Sequence, residues 1–221
     1  MPTRPRKQAL LLDLDGTLLD TAADMAAALN ALLVEERREP LPFAQIRPVV
    51  SHGSNGLIRL AFGTPNDDER QRLVNRFLAL YSDALAIHTQ LFAGFTPLLQ
   101  QLRDHGLQWG IVTNKPAWLT DPLVMTLGIH EQADCVVSGD TTAEKKPHPL
   151  PLLHAAELLK LSPADCLYVG DAERDIQSAR AAGMQSLIAM WGYIADTDTP
   201  HTWQADGMIE LPEHLQRWLF E

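Results

Sequence analysis

The spacing of apolar positions changes along this chain, and the changes mark out its elements. Residues 9–12, ALLL, form a short unbroken apolar run ending in charge, which predicts a buried parallel strand rather than a helix. From Thr21 the spacing becomes helical: Ala22, Ala23, Met25, Ala26, Ala27, Leu29, Leu32 and Leu33 give an apolar stripe, with Asp20 and Thr21 as the expected cap. Pro40 and Pro42 interrupt it. A short helix is expected over 43–50, a polar, glycine-containing loop over 51–56, and helix again over 57–62. A longer helix over 69–87 carries Leu73, Phe77, Leu80 and Tyr81 on one side. Beyond residue 90, strand and helix patterns alternate. Helices are expected over 95–105, 119–127, 150–160, 173–182 and 213–220, and strands over 108–112, 134–138, 166–169 and 186–190. Repeated β-α units predict an α/β fold, a doubly wound parallel sheet with helices on both faces. The all-helical stretch 20–90 is then an insert, and 1–19 with 91–221 forms the core.

The chain has 221 residues, 46% of them hydrophobic and 21% charged, enough for one sizeable core and a smaller subdomain. No apolar run approaches the ~18 residues of a membrane-spanning helix. The opening MPTRPRKQ is basic, but the apolar run after it is short and ends in carboxylates, so it reads as a short basic tail and not a signal peptide. Cys135 and Cys166 each abut a strand-like run and read as reduced core residues, which points to the cytoplasm. A net charge of −10 without a basic block argues against nucleic acid as a partner. Attraction of any small anion must then be local, from a metal ion, lysines or helix N-termini.

The chemistry collects where strands end. Asp13 and Asp15 follow the first strand in DLDGT. They repel each other, and burying either costs several kcal/mol unless donors or a cation compensate, which a divalent metal would do. Gly16 permits a tight turn, and Thr17 is expected to hold it by a local hydrogen bond. Thr113 and Asn114 end the second core strand in VTNKP. They suit either phosphate oxygens, through the hydroxyl and the Asn114 amide, or the cap of the following helix. Asp171, after Gly170, is expected to face the cleft of Asp13. Asp175 lies one helical turn on, where the helix dipole alone also favours an acid.

Taken together, the DLDGTL run, the threonine of IVTNKP, Lys146-Pro147-His148-Pro149 and GDAERD resemble, in order, the motifs of the haloacid dehalogenase superfamily of phosphatases. The resemblance implies a Rossmann-like core and, in the insert, a helical cap of the phosphoglycolate phosphatase and β-phosphoglucomutase type. It implies Asp13 as the nucleophile that becomes a phospho-aspartate and Asp15 as the general acid and base. The first step needs Asp15 protonated, and hydrogen bonding from the cap side is expected to raise its pKa. Thr113 and Lys146, the latter rather than Lys145, would stabilise the transferring phosphoryl group. Mg²⁺ would be the cofactor, held by Asp13, the Asp15 carbonyl and Asp171, with Asp175 acting through water or by orienting Lys146. The implied partner is a small phosphate monoester, on a monomer or weak homodimer.

For substrate contacts the expected residues are Gly16, Asn114, Arg47 and the cap stretch Ser51, His52 and Gly53, with Arg59 nearby. The segments LQWGIVTNKP, Trp191-Gly192-Tyr193-Ile194 and Trp203-Gln204-Ala205-Asp206 resemble the N-acetylmuramic acid 6-phosphate phosphatase branch, which sets that ester ahead of 2-phosphoglycolate and implies a place in cell-wall recycling. A phosphosugar mutase would share the same motifs. A phospho-accepting signalling module would carry its aspartate on a later strand and have no reason for a cap of this size.

Overall fold

The computed structural model describes residues 7–220. The basic tail read from the sequence lies mostly outside these residues. The elements in chain order are β1 (Ala9–Leu12), β2 (Leu19–Asp20), α1 (Ala22–Glu35), α2 (Phe43–Ile46), α3 (Gly53–Phe62), α4 (Asp67–Asp83), β3 (Gln90–Leu91), α5 (Phe95–Asp104) and β4 (Gln108–Val112). There follow α6 (Ala117–Thr126), β5 (Cys135–Val137), α7 (Leu150–Leu159), β6 (Cys166–Gly170), α8 (Glu173–Ala182), β7 (Gln185–Ala189), β8 (Gly207–Ile209) and α9 (Gln216–Leu219). Six strands form one parallel sheet in the order β5-β4-β1-β6-β7-β8.

Strand periodicity sorts the core. Leu10 and Leu12 of β1 face the layer of Phe95, Leu98 and Leu102 on α5 and Leu123 on α6, while Ala9 and Leu11 face Leu152 and Ala155 on α7 and Ala179 on α8. Both faces are covered, which is why β1 is apolar at every position. Helices α1, α3 and α4 build a separate core around Leu29, Leu32, Leu57, Leu73, Phe77 and Tyr81, which also receives Leu119 and Tyr193 from the sheet side. The chain enters and leaves these helices through the two-residue antiparallel ribbon β2–β3, anchored where Asp24 accepts hydrogen bonds from the backbone N–H groups of His88 and Thr89 and from the Thr89 hydroxyl.

Several local expectations are corrected. Residues 51–56 are helical: a 3-10 turn covers Arg47–His52 and α3 begins at Gly53. Small polar residues there occupy a first helical turn, whose free N–H groups suit them. Helix α1 is not capped by its own side chains. Thr21 makes no capping bond, and the Tyr193 hydroxyl instead accepts from the N–H groups of Thr21 (2.7 Å) and Ala22 (3.0 Å) while donating to Asp20. The Thr17 hydroxyl is buried without a hydrogen-bond partner, and backbone bonds from Gly16 to Leu19 and from Leu18 to Asp13 hold the turn instead. At the C-terminus, Pro212 opens a 3-10 turn that shortens the expected helix to α9, and β8 is a strand too short to show a period.

Candidate active site

The carboxyl ends of β1, β4, β5 and β6 share one rim of the sheet, where ligands of such sheets bind. The ladder places the site residues directly: Asp13 N–H continues the β1–β6 pairing by donating to Val169, and Thr113 N–H donates to Val137. Asp13 is buried. Its Oδ1 accepts from the Leu14 N–H at 2.8 Å and from Lys146 Nζ at 2.9 Å, so both of these partners fall on one oxygen and leave Oδ2 to the cleft. Burial pushes its pKa up, with the Lys146 ammonium pulling the other way.

The Lys146 side chain is fully enclosed. Its Nζ lies 2.7 Å from Asp175 Oδ1 and 2.8 Å from both the Val112 carbonyl and the Tyr168 hydroxyl, besides Asp13. A lysine is buried this completely only when its protons all find acceptors. Asn114 sets its backbone: the Asn114 side chain accepts from Lys146 N–H and donates to Lys146 C=O. Asn114 lines the cleft where a substrate contact was expected, and its side chain also positions the lysine loop, which the Ser178 hydroxyl pins by donating to His148 C=O. Lys145 stays exposed on the cleft rim.

Asp171 Oδ2 accepts from the Ser51 hydroxyl at 2.6 Å and from Tyr193 N–H at 2.8 Å, while its Oδ1 is buried with no partner. Burial, with Asp13 and Asp175 nearby, pushes this carboxyl up to about 7. Oxygens of Asp13, Asp171 and Asp175 lie within 4.8 Å of one another. An orphaned buried oxygen inside an acidic triad fits a hard divalent cation, which would relieve both the repulsion and the desolvation. Asp13 and Asp171 have the free oxygens. Asp175 spends Oδ1 on Lys146 and Oδ2 on the Ala172 N–H, and the Asp15 side chain lies outside the triad. Gly16, with φ +85°, lies against this cluster: a Cβ there would sit 2.2 Å from Asp171 Oδ2, so its part is steric and it does not line the cleft.

The cleft between sheet and helical insert encloses about 260 Å³. Asp13, Asp15, Thr113, Lys115 and Arg174 line the sheet side, Ser51, His52, Gly53 and Asn55 the opposite side, and Met25, Val50, Leu78 and Leu119 give apolar wall. Arg47 does not line it. Its guanidinium donates to the carbonyls of Trp191 (3.1 Å) and Gly192 (3.2 Å) and lies over the Tyr193 ring, fastening the insert to the core.

Sequence reasoning missed two cations. Lys115 Nζ lies 3.0 and 3.2 Å from the two oxygens of Asp15 and 3.1 Å from the Tyr81 hydroxyl, so Asp15 meets a core lysine where a cap-side hydrogen bond was expected. Arg174, inside GDAERD, has its Nε buried without a partner; burial opposes its charge, but Asp175, Asp13 and Asp171 outweigh that and raise its pKa. Both stand in motifs already singled out, beside Thr113 and Asp175, and their adjacency was the available signal. Thr113 itself is buried, its hydroxyl accepting from Lys115 N–H.

A family model described as haloacid dehalogenase-like hydrolase matches residues 10–189. A phosphoglycolate phosphatase of Xanthomonas campestris pv. campestris is 48% identical over 94% of each chain. An N-acetylmuramic acid 6-phosphate phosphatase of Pseudomonas putida is 38% identical over 96% of each. Among solved structures, a haloacid dehalogenase-like family hydrolase of Streptococcus pneumoniae superposes with a TM-score of 0.82 at 23% identity, covering 96% of this chain and 98% of that one. Of the two branches weighed from the sequence, the relative named for phosphoglycolate is the more similar.

Proposed function

This chain belongs to the haloacid dehalogenase-like hydrolase family and is a hydrolase of phosphate monoesters with Mg²⁺ as cofactor, and we propose that it cleaves 2-phosphoglycolate through a phospho-aspartate on Asp13. The observation that carries the mechanism is the environment of Asp13: Oδ1 is held by Lys146 and the Leu14 N–H, Oδ2 is left toward the cleft, and an oxygen of Asp171 lies within 4.8 Å of the Asp13 carboxylate.

In the first step Asp13 bonds through one carboxylate oxygen to phosphorus as the ester P–O bond breaks, and Asp15, as the acid, delivers its proton to the departing alkoxide. The Thr113 hydroxyl would meet the charge that spreads over the phosphoryl oxygens, and Lys146 would offset it by its charge from behind Asp13. In the second step Asp15 takes a proton from water. The water oxygen bonds to phosphorus, the Asp13–phosphorus bond breaks, and inorganic phosphate leaves. Mg²⁺ held by Asp13 and Asp171, with the Asp15 carbonyl, would supply neutralisation of the phosphoryl oxygens. Asp175 keeps Lys146 aimed.

Two observations support phosphoglycolate. The relative named for it is 48% identical against 38% for the one named for the muramic acid ester. The cleft, at about 260 Å³, lies below the ~300–1,000 Å³ of sites that enclose larger ligands. Arg174 and Lys145 offer cations to either ester, since each carries a phosphate and a carboxylate, against a chain charge of −10. N-acetylmuramic acid 6-phosphate is the second reading, favoured by the 38% identical relative.

Phosphate release from both esters tests this. The ratio of kcat/KM is expected to favour 2-phosphoglycolate by about tenfold or more, a difference of ~1.4 kcal/mol in transition-state stabilisation. The opposite preference reverses the substrate and keeps the chemistry. Asp13→Asn is expected to abolish turnover of both esters, and near-normal turnover in that variant overturns the mechanism.

A further inference from the structure

The geometry points to Lys115 as a positioning residue for Asp15, one that makes the placement of that carboxylate depend on the seated cap; we propose this on the reading of Asp15 as the proton donor and acceptor. The Lys115 backbone is fixed on the core side. Its N–H donates to the Thr113 hydroxyl at 3.1 Å, and its C=O accepts from Gly139 N–H at 2.8 Å and the Thr120 hydroxyl at 3.2 Å. From that base the side chain runs through buried space to the cleft, where its ammonium contacts both Asp15 oxygens and the Tyr81 hydroxyl. Contact with both oxygens holds the plane of the carboxylate, which one acceptor contact would leave free to turn.

The other end of the bridge belongs to the helical insert. Tyr81 sits in the last turns of α4, fully buried in the insert's own core and lying parallel to Phe77. Its hydroxyl faces Lys115, and the ammonium also lies 4.5 Å from the centre of its ring. A buried lysine is unfavourable on its own. Burial pushes the Lys115 ammonium down, but Asp15 and Tyr81 outweigh it and hold the group charged. The ammonium therefore has its complete set of partners only when α4 rests on the core. Proton delivery is tied in this way to cap contact, although Lys115 is not itself required to touch the reacting atoms.

The test separates steps by leaving group. p-Nitrophenolate departs without protonation, whereas the alkoxide of 2-phosphoglycolate needs it. The first-turnover burst of nitrophenolate and the turnover of 2-phosphoglycolate are measured for the unaltered protein and for Asp15→Asn, Lys115→Met, Lys115→Arg and Tyr81→Phe, with Tm recorded for each. Lys115→Met is expected to slow 2-phosphoglycolate turnover about 100-fold while the burst rate changes less than about 5-fold, in line with the loss of acid catalysis. Lys115→Arg restores part of that loss, and Tyr81→Phe, which keeps the ring and the lysine, shows a smaller loss of the same selective kind. Equal losses in burst and turnover, or unchanged turnover in both Lys115→Met and Tyr81→Phe, overturn the role of Lys115. If Asp15→Asn itself shows no selective loss, the reading of Asp15 as proton donor fails, and Lys115 is then left with nothing to position. Should Lys115→Met not fold, the comparison of Lys115→Arg with Tyr81→Phe decides by the same criterion.

Discussion

Asp171 places most of its chemistry on two oxygens with opposite fates. Oδ2 is satisfied by Ser51 and the Tyr193 N–H, and Oδ1 is buried with nothing to accept from. Its carboxyl stands at about 7 against 3.8 ordinarily, so between those values the folded, metal-free protein holds a proton that the unfolded chain has released. That proton stabilises the fold at pH below the ordinary carboxylate range, and the contribution is lost as pH rises through about 7. Asp13, also raised by burial, adds in the same direction. The expected outcome in thermal melts is that metal-free protein loses several degrees of Tm between about pH 5 and pH 8, at ~2–4 °C per kcal/mol for a chain of this size. On the proposed reading Mg²⁺ binds Asp13 and Asp171 in their charged forms, so it is expected to raise Tm more at the higher pH. Asp171→Asn should remove most of the pH-dependent fall and weaken the Mg²⁺ shift. A Mg²⁺ shift equal at both pH values would contradict this account.

At the scale of elements, helix α1 shows how a terminus can be completed from far away in the chain. Its first N–H groups bond to Tyr193, which stands after β7, and the same loop supplies the Tyr193 N–H to Asp171 and the carbonyls that receive Arg47. Tyr193→Phe keeps the ring and removes only the hydroxyl, leaving the N–H groups of Thr21 and Ala22 buried and unpaired, at a cost of about 1–3 kcal/mol. A fall in Tm on the order of 5 °C is expected, with the Mg²⁺ shift retained because the backbone donor to Asp171 stays. The periodic elements were legible beforehand: β1, β4, β6 and α8 have core-facing residues at the spacing their geometry demands. The short ones were not. The two-residue strands β2 and β3 and the three-residue β8 hold no full period, and the helical turn through Ser51–Asn55 carries a loop-like composition that only packing on the insert core overrides.

For the molecule as a whole, the insert and the sheet are two packed bodies joined at a cleft, and the polar contacts across it are specific: Arg47 to the Trp191 and Gly192 carbonyls, Ser51 to Asp171, and Tyr81 to Lys115. Arg47→Ala removes the first of these together with the guanidinium over the Tyr193 ring, and leaves the rest of both cores in place. Hydrogen exchange is expected to quicken several-fold over residues 47–62 while α7 and α8 stay protected, since opening a docked body needs less than unfolding it. Uniform quickening across the chain would mean that Arg47 supports the core instead.

The sequence alone settled which residue types end which strands. A buried strand must shed its polar residues to its ends, so Asp13, Thr113 and Asp171 were bound to collect on one rim once the sheet was parallel. It set Lys146 ahead of Lys145 as the candidate phosphoryl ligand, by resemblance of the motif. What it left open was pairing across long distances, because hydrogen bonds between side chains remote in the chain leave no period to read. Only the folded molecule decided that Asn114 braces Lys146, that Arg47 fastens the insert and does not line the cleft, and that Lys115 grips Asp15. Each follows from a buried charge or amide taking the partners within reach, and reach is a property of the three-dimensional packing.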